Sequence, residues 1–273
     1  MSSRSRPHRR QRQADMGTDQ YFRKFLGRTD ERTLFKMDHY LDVYDAALGP
    51  WMGREVSFLE IGVYKGGSLR MWRDFFAPSA RLTFLDIDPA CKALELPGTE
   101  IRIGDQEDPA FLAQVARDRG PFDIVVDDGG HKMGQQITSF LSLWPHLKNG
   151  GLYIVEDVHT SYWPGFGGGF RAKGSFIEFA KDLIDRMHSW YTEDDTGFPL
   201  HPMARELGSV QFHDSLVIFQ KRLKEPPISL TSTNGQVHGS RRMLEVRGRR
   251  SIFCPLRPCS AALPRLAPCR TPR

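Results

Sequence analysis

The chain has 273 residues, enough for one sizeable α/β domain with its own core or for two small ones. Its net charge of +5 is unevenly spread: five Arg against one Asp in residues 1–16, nine Arg against two Glu in residues 225–273, and 24 Lys and Arg against 30 Asp and Glu between them. Positive charge confined to two tails around an acidic body argues against a nucleic-acid-binding domain, and no apolar run approaches the roughly 18–20 residues of a membrane span.

Residues 1–16 are basic but lack the apolar stretch of a secretory signal, so a cytoplasmic protein is expected. The segment DERTLFKMDHYLDVYDAAL (30–48) predicts one or two helices ahead of the first strand. Apolar, β-branched runs follow at 56–62, 82–88, 100–104, 123–129 and 151–157, with a closely spaced pair at 209–213 and 215–221 that reads as a hairpin. Helical patterns separate the runs: from Ser68, from Pro109, over 135–147 and over 176–191. Continuously apolar strands alternating with helices predict a doubly wound, mainly parallel Rossmann-like sheet with a C-terminal antiparallel hairpin. The domain is expected over 17–224. Residues 1–16 and 225–273, rich in Pro, Ser and Arg, are expected to lack packed structure.

In such a sheet ligands bind beyond the carboxyl ends of the strands. The first strand ends in Glu60-Ile61-Gly62-Val63-Tyr64-Lys65-Gly66-Gly67-Ser68, an E-x-G-x-x-x-G turn rather than G-x-G-x-x-G. It suits S-adenosyl-L-methionine better than a dinucleotide pyrophosphate, with Glu60, Gly62, Tyr64, Gly66 and Ser68 as candidate contacts. Asp86, at the second strand end, is placed to accept from ribose hydroxyls, and Asp105 and Gln106, after the third, to reach an adenine edge.

The fourth strand ends in Asp127-Asp128-Gly129-Gly130-His131 and the fifth in Glu156-Asp157. Neighbouring strands lie about 4.8 Å apart, so Asp128, Glu156 and Asp157 converge and call for a cation. Oxygen ligands without cysteine favour Mg²⁺ or Mn²⁺. Strand alternation turns Asp127 away from Asp128, making it a structural neighbour on the cofactor side. His131 is placed as general base for a hydroxyl whose acidity a metal would raise. His39, His146 and His159 are read as surface or packing residues, and Phe140, Leu141 and Trp144 as helix core. The four cysteines, Cys91, Cys254, Cys259 and Cys269, fit no zinc spacing. No iron-binding His-x-Asp triad supports oxidation.

The motifs FLEIGVYKGGS, LDIDP, GDQEDPAF, VVDDGGH and GGLYIVEDVHTSYWPGFGG together resemble the metal-dependent sugar O-methyltransferases of macrolide biosynthesis, across roughly residues 17–224. The resemblance implies a class I methyltransferase fold, magnesium dependence, a role in antibiotic biosynthesis and often a homo-oligomer. It also implies Asp128, Glu156 and Asp157 as metal ligands and His131 as base, with Gly130 where the family motif has serine. The expected partner is a glycosylated or diol-bearing small molecule. A catechol-type acceptor and a non-catalytic cofactor-binding protein are the alternatives. Residues 159–175, rich in glycine and aromatics, are expected to cover the substrate, with Tyr162 and Trp163 in contact.

Overall fold

Strands that are apolar on both sides need helices on both faces, and the computed structural model, which describes residues 20–28 and 32–240, supplies them. The strands are β1 (Ser57–Ile61), β2 (Arg81–Asp86), β3 (Thr99–Ile103), β4 (Phe122–Asp127), β5 (Leu147–Glu156), β6 (Leu207–His213) and β7 (Leu216–Lys221). They lie side by side in the order β3-β2-β1-β4-β5-β7-β6. The first five are parallel, and β7 runs antiparallel to both β5 and β6. The strand order reverses between β1 and β4, so the crevice at the switch point opens between their carboxyl ends. Residues 59–61 of β1 pair with 125–127 of β4, which in turn pair with 153–155 of β5. Asp128 and Glu156 therefore follow at matching heights.

The main helices are α1 (Tyr21–Leu26), α2 (Asp38–Leu48), α3 (Gly67–Phe75), α4 (Pro109–Arg119), α5 (Met133–Leu143), α6 (Phe176–His188) and the single turn α7 (Met203–Glu206). Two of the starts show why they form where they do. The Asp108 side chain accepts from the Ala110 N–H, with Pro109 at the first helical position, and the Ser175 side chain accepts from the Glu178 N–H.

Strand alternation divides the core. Phe58, Phe84, Ile124, Ile154 and Ile218 pack with α1–α3 around Trp72, whose ring lies 4.8 Å from that of Phe58. Leu59, Val125, Tyr153, Val155 and Phe219 pack with α4–α6 around Phe140. Each such side chain contributes about 1.5–3 kcal/mol by burial. Phe140 stacks on Trp144 at 5.1 Å, as expected for helix core. Leu141 does not join them: one residue is about 100° around a helix, and its side chain is exposed.

The expected doubly wound sheet and terminal hairpin are both present. Two local expectations change. Only 38–48 of the 30–48 segment is helical among the described residues, because 33–37 runs without regular structure across the first turn. Within the expected structureless segment from residue 225, a separate two-stranded hairpin forms, β8 (Ser229–Thr233) and β9 (Gln236–Ser240). Asn234 and Gly235 turn it with φ of 52° and 78°, the left-handed pair that an Asn-Gly hairpin turn uses. The chain divides into two units, the second beginning at Pro227. The expectations for residues 1–16 and 241–273, with Cys254, Cys259 and Cys269, lie outside the described residues.

Candidate active site

The first turn is built on close approach. Gly62 has φ of +99°, and a Cβ there would run into the Asp128 carbonyl. The ends of β1 and β4 thus close on each other, with the Asp128 N–H donating to the Ile61 carbonyl at 2.9 Å. Gly66, at φ of +77°, starts α3, and Gly67 lies against the backbone of Thr33 and Leu34. That packing carries residues 33–37 over the turn and brings Lys36 to the strand ends.

A cavity of about 340 Å³ opens beside the switch point, lined in part by Gly62, Tyr64, Asp86, Asp105, Gln106 and Gly130. Asp86 shapes it: one carboxylate oxygen accepts from the Val63 and Tyr64 N–H groups at 2.8 and 3.3 Å, the other from Asp88 N–H at 2.9 Å. Asp105 is exposed at the rim and accepts from Glu107 N–H. Gln106 is spent on bracing. Its amide donates to Asp127 at 3.0 Å and to Ser139 at 3.2 Å, while its carbonyl accepts from Gly130 N–H at 2.8 Å. Ser68 lines a smaller recess next to Tyr64 and Lys36.

Two expected cofactor residues are set behind the cavity. Asp127 is fully buried on Gln106, and burial pushes its carboxyl up to about 7 against the stabilising hydrogen bond from Gln106. Glu60 is also fully buried, accepts from the Trp72 indole N–H at 2.9 Å, and is pushed up to about 7 by burial.

At the chemical end, Asp128, His131 and Asp157 each aim one ligand-capable atom at a common point, the three lying within 4.8 Å of one another. His131 Nε2 is 3.4 Å from Asp157 Oδ2 and 3.9 Å from Asp128 Oδ1. His131 and Asp157 both adopt φ of 55°, uncommon for residues other than glycine. The Thr160 hydroxyl holds the His131 carbonyl at 2.9 Å, and the Tyr40 hydroxyl lies 2.7 Å from Asp157 Oδ1. The two carboxylates, partly open to solvent, suit a hard divalent cation, and the imidazole faces the same point.

Glu156 belongs to a different group. Alternation along β5 turns it to the α1–α3 face, where Lys36 Nζ lies 2.6 Å from Glu156 Oε1, 2.5 Å from Asp128 Oδ2 and 3.7 Å from Glu60 Oε1. The Tyr44 hydroxyl donates to the same Glu156 oxygen. Burial pushes Glu156 up to about 8, Asp128 adds to this and Lys36 opposes it. Burial alone would lower the Lys36 ammonium, but Asp128 and Glu156 outweigh it and hold the amine well above its ordinary value.

Lys36, Tyr40 and Tyr44 escaped the motif reading, although their spacing of four residues, entering and then following one face of α2, is a detectable signal. His159, read as surface or packing, is nearer the site than expected: its ring lies 4.6 Å from Trp163 and its Nδ1 4.0 Å from Asp157 Oδ1. His39 is exposed and His146 is half-buried, as expected. The 159–175 segment is organised by short 3₁₀ turns, with the Gly169 N–H donating to the Ser161 carbonyl at 2.8 Å and Tyr162 and Trp163 half-exposed.

Residues 59–158 match the model of a methyltransferase domain. The chain is 38% identical over 192 residues to the 8-demethyl-8-alpha-L-rhamnosyl tetracenomycin-C 2'-O-methyltransferase of Streptomyces olivaceus, covering 67% of this chain and 50% of that protein. It is 39% identical over 193 residues to the mycinamicin VI 2''-O-methyltransferase of Micromonospora griseorubida, covering 67% and 48%. The chain thus spans about half the length of the curated relatives it matches. Among solved structures, the MycE methyltransferase of the mycinamycin biosynthetic pathway, in complex with Mg and SAH, superposes with a TM-score of 0.66 at 32% identity, over 76% of this chain and 54% of that one. Sheet order, first turn and relatives agree: the chain carries a methyltransferase domain similar to that of these sugar O-methyltransferases.

Proposed function

We propose that this protein transfers a methyl group from S-adenosyl-L-methionine to a hydroxyl of a sugar, carried on a glycosylated small molecule, with the help of Mg²⁺ or Mn²⁺. The observation that carries the reading is the convergence of Asp128, His131 and Asp157 on one point beside the switch-point cavity. The relatives named for sugar O-methylation, one of them solved with Mg and SAH, support the choice of reaction and cofactors. The catalytic unit is taken as residues 17–224, in the cytoplasm, free to form a homo-oligomer. Among the described residues no helix is long and apolar enough to cross a membrane.

When bound, the donor supplies an electrophilic methyl and the metal acidifies a hydroxyl held against it. The chain's own residues supply the geometry. The first turn and Asp86 shape the donor's cavity, and Asp128 and Asp157 would hold the metal, with Glu156 behind them. His131 Nε2 faces the same point and would take the hydroxyl proton. Its left-handed backbone, pinned through Thr160, fixes the ring's approach. Trp163 and Tyr162 offer an apolar wall to the sugar or its aglycone.

Calorimetry with S-adenosylhomocysteine, then methyl transfer to a panel of glycosylated acceptors and catechols with and without EDTA, tests the reading. Activity that survives chelation would sink the metal assignment, and preference for the catechols would move the acceptor class. His131→Ala is expected to lose about 10²–10⁴-fold in kcat with S-adenosylhomocysteine affinity unchanged.

A further inference from the structure

The carboxylate cluster has two cation seats, and Asp128 belongs to both. Its Oδ1 faces His131 and Asp157, while its Oδ2 lies 2.5 Å from the Lys36 ammonium. The Lys36 side chain is 1% exposed and touches two further carboxylates, Glu156 at 2.6 Å and Glu60 at 3.7 Å. It arrives there because Gly67 lets residues 33–34 pass directly over the first turn. A buried ammonium with three carboxylate neighbours leaves only where another cation replaces it, since a buried carboxylate left unpaired is costly. Glu156 Oε1 is thus already taken, by Lys36 and by Tyr44.

We propose that Lys36 is a built-in competitor of the divalent cation: its ammonium holds Asp128 and Glu156, and Glu156 joins Asp128 and Asp157 around the metal only as Lys36 leaves it. Lys36 is then a positioning residue. It keeps Asp128 and Glu156 oriented before loading and weakens cation binding by both occupancy and like charge. The inference rests on the metal reading above.

Mn²⁺ binding, followed by calorimetry and by the loss of the free-ion EPR signal, tests it on the full chain without reference to turnover. Lys36→Met and Lys36→Gln are expected to bind Mn²⁺ at least about tenfold more tightly than the wild type, because a unit charge a few ångströms away has been removed. Both are also expected to gain more thermal stability from added Mn²⁺ than the wild type does. Amine-directed labelling read by mass spectrometry supplies an arm that needs no variant. Labelling of Lys36 in the wild type should rise several-fold on adding Mg²⁺, with the exposed Lys181 unchanged. Wild-type Mn²⁺ binding with equal or weaker binding by the variants, or Lys36 labelling indifferent to Mg²⁺, overturns the competition and leaves the metal reading standing. No Mn²⁺ binding by any of the proteins overturns both.

Discussion

Asp127→Asn separates the brace beneath the site from the chemistry above it. In the wild type the Asp127 carboxyl is fully buried, accepts from Gln106 Nε2 at 3.0 Å through Oδ1, and among the described residues has no partner within hydrogen-bond geometry for Oδ2. Burial raises it from an ordinary 3.8 to about 7. The sign follows from linkage: a carboxyl raised in the folded state stabilises most while it is protonated in both states, below about pH 4, and loses that contribution as pH rises toward 7. At about 1.4 kcal/mol per pH unit the span corresponds to about 4 kcal/mol, and about 2–4 kcal/mol after relaxation of the site. Asparagine keeps the acceptor, carries no charge and places an N–H₂ donor at the unpaired position. The Tyr153 hydroxyl, fully buried beside Asp127 on the same face of the sheet, is the acceptor that this donor would meet. Urea unfolding of wild type and variant between pH 4.5 and 8 should give a gap in the variant's favour that widens by about 2–4 kcal/mol over that range. Parallel curves would refute the assignment, because other buried acids, such as Glu60 and Glu156, contribute equally to both proteins.

Gly62→Ala combines a left-handed backbone with a Cβ directed into the Asp128 carbonyl, and should cost about 3 kcal/mol or more in urea unfolding. Tyr40→Phe removes the hydroxyl that lies 2.7 Å from Asp157; Mn²⁺ affinity by calorimetry should fall about tenfold and stability by about 1–2 kcal/mol. Trp163→Ala removes the half-exposed ring beside His159. The acceptor KM should rise about fivefold or more while S-adenosylhomocysteine affinity stays constant.

The strands and the ligand end of the sheet were legible because their signals are local. Each apolar run stops at an acidic or glycine residue, as at Glu60-Ile61-Gly62 and Asp127-Asp128-Gly129, and the doubly wound order brings those stops together. The direction of Asp127 was legible for the same reason: alternation alone sends it to the far face. The same rule applied to Glu156 and Asp157 separates them, but the convergence of three acids concealed it. Lys36 was not legible. A lysine just before a helix reads as solvated, and only the passage of residues 33–37 over Gly67 turns it inward. The hairpin after Pro227 was hidden by composition, since its surrounding Pro, Ser and Arg content outweighed one Asn-Gly turn.

Consecutive residues at the end of β5 tie that strand to one short segment ahead of β1. Glu156 reaches Lys36 and Tyr44, Asp157 reaches Tyr40, and all three partners precede the first strand. A transplantable catalytic module therefore cannot be cut at the edge of the matched 59–158 segment. Grafts, fusions and truncations must carry Lys36 and α2, or the strand ends lose both their counter-charge and the hydroxyls that aim them.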